Sequence, residues 1–167
     1  CTYNGDHMSM YGVNASIPKT LIRWMIAAIA DSEEFAPAKA VLEDILDTPI
    51  SPELLPPDES GKISQYTEDL VGPYALHDFF LYYMLRFGFA PRKIFILACR
   101  AFEGDFDRET IQKWLKAFYR RFFTQQFKRS CLPDGVKVGS VCLSPRGDWR
   151  MPSDAVGRIW LQEVEQL

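Results

Sequence analysis

Two short stretches hold the residue types best suited to gripping a phosphorylated ligand. Gln-Phe-Lys-Arg-Ser at 126–130 and Ser-Pro-Arg-Gly-Asp-Trp-Arg at 144–150 set four cations among aromatic rings in polar, irregular sequence. Lys128 offers a point charge, whereas Arg129, Arg146 and Arg150 offer planar forks that match phosphate oxygens in pairs, and Phe127 or Trp149 offers a face for a base. The alternative is that these charges are solvated or paired with Asp134, Asp148 and Asp154. Composition alone leaves both readings open.

Other candidates are less developed. Glu68 and Asp69, beside Ser64, Gln65 and Thr67, present hard oxygens of the kind Mg²⁺ takes together with substrate phosphates. His77 sits in an apolar stretch, where a lone histidine usually serves as a hydrogen-bonded, partly buried residue. Cys1 is an amino-terminal nucleophile only if the chain matures to that residue, and no partner histidine stands near it in sequence. Four cysteines without a CxxC pair, and two histidines, argue against zinc and for reduced thiols in a cytoplasmic protein. Neither a GxxxxGK[ST] loop nor a GxGxxG turn occurs, so the chain lacks the usual main-chain phosphate cradle.

The elements that must position these residues are mostly helices. Expected are a helix capped by Ser16, with Pro18 in its first turn and Leu21, Ile22, Met25, Ile26 and Ile29 as its apolar stripe, ended by Asp31 and Ser32, and a second from about Glu33 to Leu46. A proline-rich connector over 47–71 follows, long enough to suggest a ligand-side segment. Further helices are expected from Pro73 to Phe87, stopped by Gly88, from Pro91 to Arg100, and from Asp107 as cap to Phe123. Val136 to Leu143 is the one stretch suited to a short strand or hairpin. A last helix, capped by Ser153, aligns Val156, Ile159, Trp160 and Val164 toward the core.

With 167 residues, 47% of them hydrophobic, the chain is long enough to build a core without disulfides or metal. The net charge of −3 is too balanced for nucleic-acid binding through bulk electrostatics. No run approaches the roughly 18 to 20 apolar residues of a membrane span, so no membrane is expected as partner. The opening Cys-Thr-Tyr-Asn-Gly reads as mid-loop, and a processed or truncated chain is expected.

Six blocks, in order, resemble the carboxy-terminal portion of the glutamine-dependent NAD⁺ synthetases. They are residues 2–14 (Thr-Tyr-Asn-Gly-Asp-His-Met-Ser-Met-Tyr-Gly-Val-Asn), 18–22 (Pro-Lys-Thr-Leu-Ile), 51–56 (Ser-Pro-Glu-Leu-Leu-Pro), 72–79 (Gly-Pro-Tyr-Ala-Leu-His-Asp-Phe), 126–130 and 143–154. The resemblance implies a mainly α chain, the helical end of a Rossmann-like α/β synthetase domain of the adenine-nucleotide α-hydrolase type, with sheet and phosphate loop mostly absent. It divides the chain into 1–72, holding substrate loop, two helices and connector, and 73–167, a helical subdomain with the basic loop.

The reaction implied is ATP-dependent, with Mg²⁺. The carboxylate of nicotinic acid adenine dinucleotide (deamido-NAD) is adenylylated with loss of pyrophosphate, and glutamine-derived ammonia then displaces AMP to give NAD⁺. Glutaminase and phosphate-loop segments of the same protein, and a homo-oligomeric assembly, are implied as partners, and the isolated chain is expected to be inactive. The resemblance implies that Cys1, Thr2, Tyr3, Lys128 and Arg129 contact deamido-NAD, that Lys19 and Ser51 meet ATP, and that Ser51 meets Mg²⁺. It assigns no catalytic residue to this chain. The competing reading is a non-catalytic helical module for subunit interaction.

Overall fold

The structure, a computed structural model, describes residues 11–13, 15–48 and 71–167. The chain divides into two compact units, Pro18–Asp78 and a second made of Cys1–Ile17 with Phe79–Leu167. The boundary, between Asp78 and Phe79, lies inside the helix Tyr74–Phe87.

In the Pro18–Asp78 unit, α1 (Lys19–Ala30) and α2 (Lys39–Asp47) pack together, joined by a 3₁₀ turn over Glu33–Ala38. Pro37 lies inside that turn, where the second α-helix was expected to be already under way, and the α-helix starts after it. Ala30 is the only buried residue of α1, and α2 has none. The expected stripe is only partly covered: Leu21, Met25 and Ile29 are exposed, as are Trp24, Val41 and Ile45.

The second unit is built on aromatic packing. α3 (Tyr74–Phe87) ends at Gly88, whose φ of 64° lies in the left-handed region and whose amide donates to the Met84 carbonyl. α4 (Pro91–Ala101) starts on proline and buries Ile94, Phe95 and Ala98. In α5 (Arg108–Thr124) the Asp107 carboxylate accepts from the Thr110 amide at 2.7 Å, as the capping pattern predicts. Its inner face buries Ile111, Leu115, Phe118, Tyr119, Phe122 and Phe123, and Phe80 of α3 meets Phe118 with ring centres 5.8 Å apart. The short α6 (Gln126–Ser130) follows, and α7 (Arg158–Val164) packs on α4 and α5.

Three expectations fail here. No strand forms among the described residues, and 136–143 is irregular, with the Val138 and Gly139 amides donating to the Ser16 hydroxyl. The last helix starts at Arg158, not Ser153, and Val156 and Ile159 lie on the surface, 76% and 73% exposed. Ser16 does not cap α1: Pro18 holds the N-cap position, and the Ser16 hydroxyl points elsewhere.

Candidate functional site

The site is assembled from pieces of sequence more than a hundred residues apart. Ser16 is buried, and its hydroxyl accepts from the Val138 amide at 2.7 Å while lying 3.4 Å from the Val136 carbonyl and the Gly139 amide. A second tie runs from the Gly12 amide to the Asp134 carbonyl at 2.8 Å. The backbones approach so closely that a Cβ on Gly135 would sit 1.8 Å from the Gly12 oxygen, which only glycine permits. The segment after residue 10 is thus stitched to the start of the basic region.

The two basic blocks are joined in the same unit. Gln126 is fully buried, its amide nitrogen donating to the Met151 carbonyl at 3.1 Å and its oxygen accepting from Arg129 Nε at 2.8 Å. Arg129 also donates to the Phe122 carbonyl at the end of α5, and its guanidinium lies over the Phe122 ring, 4.4 Å from the centre. Burial lowers the pKa of that guanidinium. Phe122 in turn meets Trp149 with ring centres 5.3 Å apart.

The other cations of the loop are largely matched. Lys137 pairs with Asp148 at 2.6 Å, and the hydrogen bond holds the Asp148 carboxyl below its usual range. Arg146 pairs with Asp134 at 2.8 Å and donates to the Leu132 carbonyl, while Arg150 donates to the Arg146 carbonyl at 2.9 and 3.2 Å. Of the two readings for these charges, internal pairing holds for Lys137 and Arg146. Lys128 differs. It is exposed on α6, and its side chain has no hydrogen-bond or ion-pair partner among the described residues.

A polar cavity of about 200 Å³ opens beside this loop, lined by Arg86, Lys137, Ser140, Cys142, Asp148 and Trp149. The Trp149 indole N–H is buried without a hydrogen-bond partner, and Arg86 has no partner among the described residues. Unmatched donors around a small polar space suit an oxyanion. Arg86 was not singled out in the sequence, since it sits at the end of an aromatic helix with no motif around it.

Lys19 lies in the other unit, the first residue of α1, exposed and without a partner among the described residues. Pro18 cannot cap the helix with a side chain, so Asp78 does so from α3: its Oδ2 accepts from the Thr20 amide at 3.0 Å and from the Thr20 hydroxyl at 2.6 Å. Burial pushes the Asp78 carboxyl upward, but hydrogen bonds from His77 and Thr20 prevail and leave it below the usual carboxylate range. His77 Nδ1 stands 3.9 Å from Asp78 Oδ1. Asp78 and Thr20, which the sequence did not single out, hold the end of the helix that carries Lys19.

Cys1, Thr2, Tyr3 and Ser51, and with them Ser64, Gln65, Thr67, Glu68 and Asp69, lie outside the described residues. Among the described residues no group of three or more His, Cys, Asp or Glu is placed to hold a metal ion, and Cys99, Cys131 and Cys142 are free thiols. No described helix is long and apolar enough to cross a membrane.

No protein-family model matches the chain. Among curated proteins it is 45% identical to the glutamine-dependent NAD(+) synthetase of Mycobacterium leprae and 43% identical to that of Mycobacterium tuberculosis strain H37Rv, in each case over 97% of this chain. The chain spans only about a quarter, 26%, of the length of either relative. In fold it is similar to a glutamine-dependent NAD(+) synthetase from Cytophaga hutchinsonii, with a TM-score of 0.68 at 17% identity over 99% of this chain and 24% of that one. The six blocks read from the sequence and an identity above 40% along nearly the whole chain lead to one assignment: the chain is homologous to a segment, about a quarter in length, of the glutamine-dependent NAD(+) synthetases.

Proposed function

We propose that this chain is the carboxy-terminal helical part of an enzyme that amidates deamido-NAD to NAD⁺, activating the carboxylate with ATP in the presence of Mg²⁺ and using ammonia released from glutamine. The observation that carries the reading is the meeting of remote blocks. Gln126 is tied to Met151, which joins two of the six blocks, and residues 12–16 are tied to 134–139, the stretch between those two blocks. In the Lys-Arg pair of α6, Lys128 is the cation whose side chain has no partner among the described residues.

In this reading Lys128 and Arg129 contact the dinucleotide, and Arg129 also ties α6 to α5 through Gln126 and the Phe122 carbonyl. Cys1, Thr2 and Tyr3 complete the dinucleotide contacts. Lys19, at the start of α1, opposes the negative charge that builds on the phosphorus as pyrophosphate leaves. Ser51 supplies an oxygen to ATP and to Mg²⁺, whose role there is to neutralise phosphate charge. The proposed division is into 1–72, with substrate loop, two helices and connector, and 73–167, a helical subdomain with the basic loop.

The partners proposed are deamido-NAD, ATP, glutamine-derived ammonia, and the glutaminase and phosphate-loop segments that make up the rest of such an enzyme. A homo-oligomer in the cytoplasm is proposed with them, and the free thiols suit that compartment. Lys128→Ala in a full-length enzyme tests the site: a raised KM for deamido-NAD with little change in KM for ATP supports it. Unchanged kinetics for both substrates removes Lys128 from it.

A second reading, a subunit-interaction module without a catalytic role, draws on α1 and α2, which leave Trp24 75% exposed beside Val41 and Ile45. Such a face calls for a cover. In the synthetase reading the cover is the remainder of the enzyme or a neighbouring subunit. The two readings part on the Lys128 experiment.

A further inference from the structure

We propose that Gln126 is a positioning residue for the dinucleotide site: its buried amide fixes the Arg129 guanidinium without neutralising it, so that the free edge of the guanidinium grips an oxyanion of deamido-NAD. This inference rests on the synthetase reading, which sets Lys128 and Arg129 against that substrate.

Arg129 is restrained by uncharged groups. Its Nε donates to Gln126 Oε1 at 2.8 Å, its Nη2 donates to the Phe122 carbonyl, and its guanidinium carbon lies over the Phe122 ring, 4.4 Å from the centre. Nε and Nη2 make up one edge of the guanidinium, and Nη1 with the second Nη2 hydrogen makes up another. That second edge has no partner among the described residues. It is a planar fork of the kind that meets phosphate or carboxylate oxygens in pairs.

The charge on this fork is uncompensated. No carboxylate pairs with Arg129 among the described residues, and burial is what lowers its pKa. Lys137 and Arg146 are each matched by an aspartate, and Arg150, which is exposed, is held by a single carbonyl. Glutamine suits the task chemically. A glutamate at 126 would also accept from Nε but would cancel the charge, whereas the amide accepts with a neutral oxygen and spends its nitrogen on the Met151 carbonyl at 3.1 Å. Gln126 is fully buried and so acts through Arg129, and a guanidinium already immobilised loses little further freedom when an anion arrives.

Steady-state kinetics of a full-length synthetase containing this segment, with ammonia supplied directly, test the proposal. Gln126→Met removes both hydrogen bonds and should raise the KM for deamido-NAD about fivefold or more, while kcat and the KM for ATP stay within about twofold. Arg129→Ala should raise the same constant, and adding Gln126→Met to it should raise it no further. Gln126→Glu, which still accepts from Arg129 but brings a countercharge, should raise it too, and serves if the methionine variant does not fold. Product inhibition by NAD⁺, which keeps the phosphates and lacks the carboxylate, should weaken in step if the fork meets phosphate and stay unchanged if it meets the carboxylate. A parental KM in both Gln126 variants, additive effects in the double variant, or an equal rise in the KM for ATP overturns the proposal, while a raised KM in Lys128→Ala leaves the reading beneath it standing. A parental KM in both Lys128→Ala and Arg129→Ala overturns that reading and the proposal with it.

Discussion

Asp78 does for α1 what Pro18 cannot, accepting one hydrogen bond from the Thr20 amide at 3.0 Å and another from the Thr20 hydroxyl at 2.6 Å. A carboxylate fifty-eight residues away thus becomes the helix cap and fixes where Lys19 begins. Asp78→Ala should cost about 2 kcal/mol, read as faster amide exchange over the first turn of α1. The pH dependence follows from the direction of the shift: with the folded pKa below the ordinary carboxyl value, the contribution is complete above that value and is lost as pH falls through the folded one. Asp78→Asn should flatten that acid limb in a denaturation series against pH.

Ser16→Ala should loosen the basic region without touching a charge. The Val138 amide would lose its acceptor, at a cost of about 1–2 kcal/mol. Hydrogen exchange at Val138 should accelerate while exchange in the centre of α5 stays slow. Unchanged protection at Val138 would show that the bond is not formed in solution.

Lys128 and Arg129, adjacent in sequence, should separate in their effects. Lys128→Ala removes an exposed side chain with no partner and should move stability by less than about 0.5 kcal/mol. Arg129→Ala removes bonds to Gln126 and to the Phe122 carbonyl together with the stacking on the Phe122 ring, and should cost about 1–2 kcal/mol. Urea denaturation of the two variants beside the parent measures both.

Tyr119→Phe should leave the fold as stable or make it more so. The hydroxyl is buried with no hydrogen-bond partner, and burial, aided by the charge of Glu163, pushes its pKa well above the ordinary value. Removing it relieves an unpaired polar group, a gain of up to about 1 kcal/mol. A fall in Tm would show that the hydroxyl has a partner in solution.

Gly157→Ala should destabilise through overpacking, by about 1–3 kcal/mol, because the new methyl meets the buried Phe123 ring. Phe123→Leu, which vacates that space, should offset part of the loss when combined with it, and a double-mutant cycle reads the coupling.

Most helices were legible from local chemistry alone. Asp107 before Ile111, Leu115 and Phe118, Pro91 opening α4 and Gly88 closing α3 are signals whose physics is complete within a few residues. So were the order of the family blocks and the cationic character of 126–150. Periodicity marks one side of a helix as apolar, but it does not say whether anything covers that side. For this reason Val156, Ile159 and the outer residues of α1 were expected inside and are found outside. Nor can charge along a chain show which cations will be paired. Lys137 meets Asp148, Arg146 meets Asp134 and Arg129 turns back onto α5, while Lys128 alone of the Lys-Arg pair faces solvent. Those choices, like the capping of α1 by Asp78 and the hold of Ser16 on Val138, depend on contacts between residues distant in sequence, and they exist only once the chain has folded.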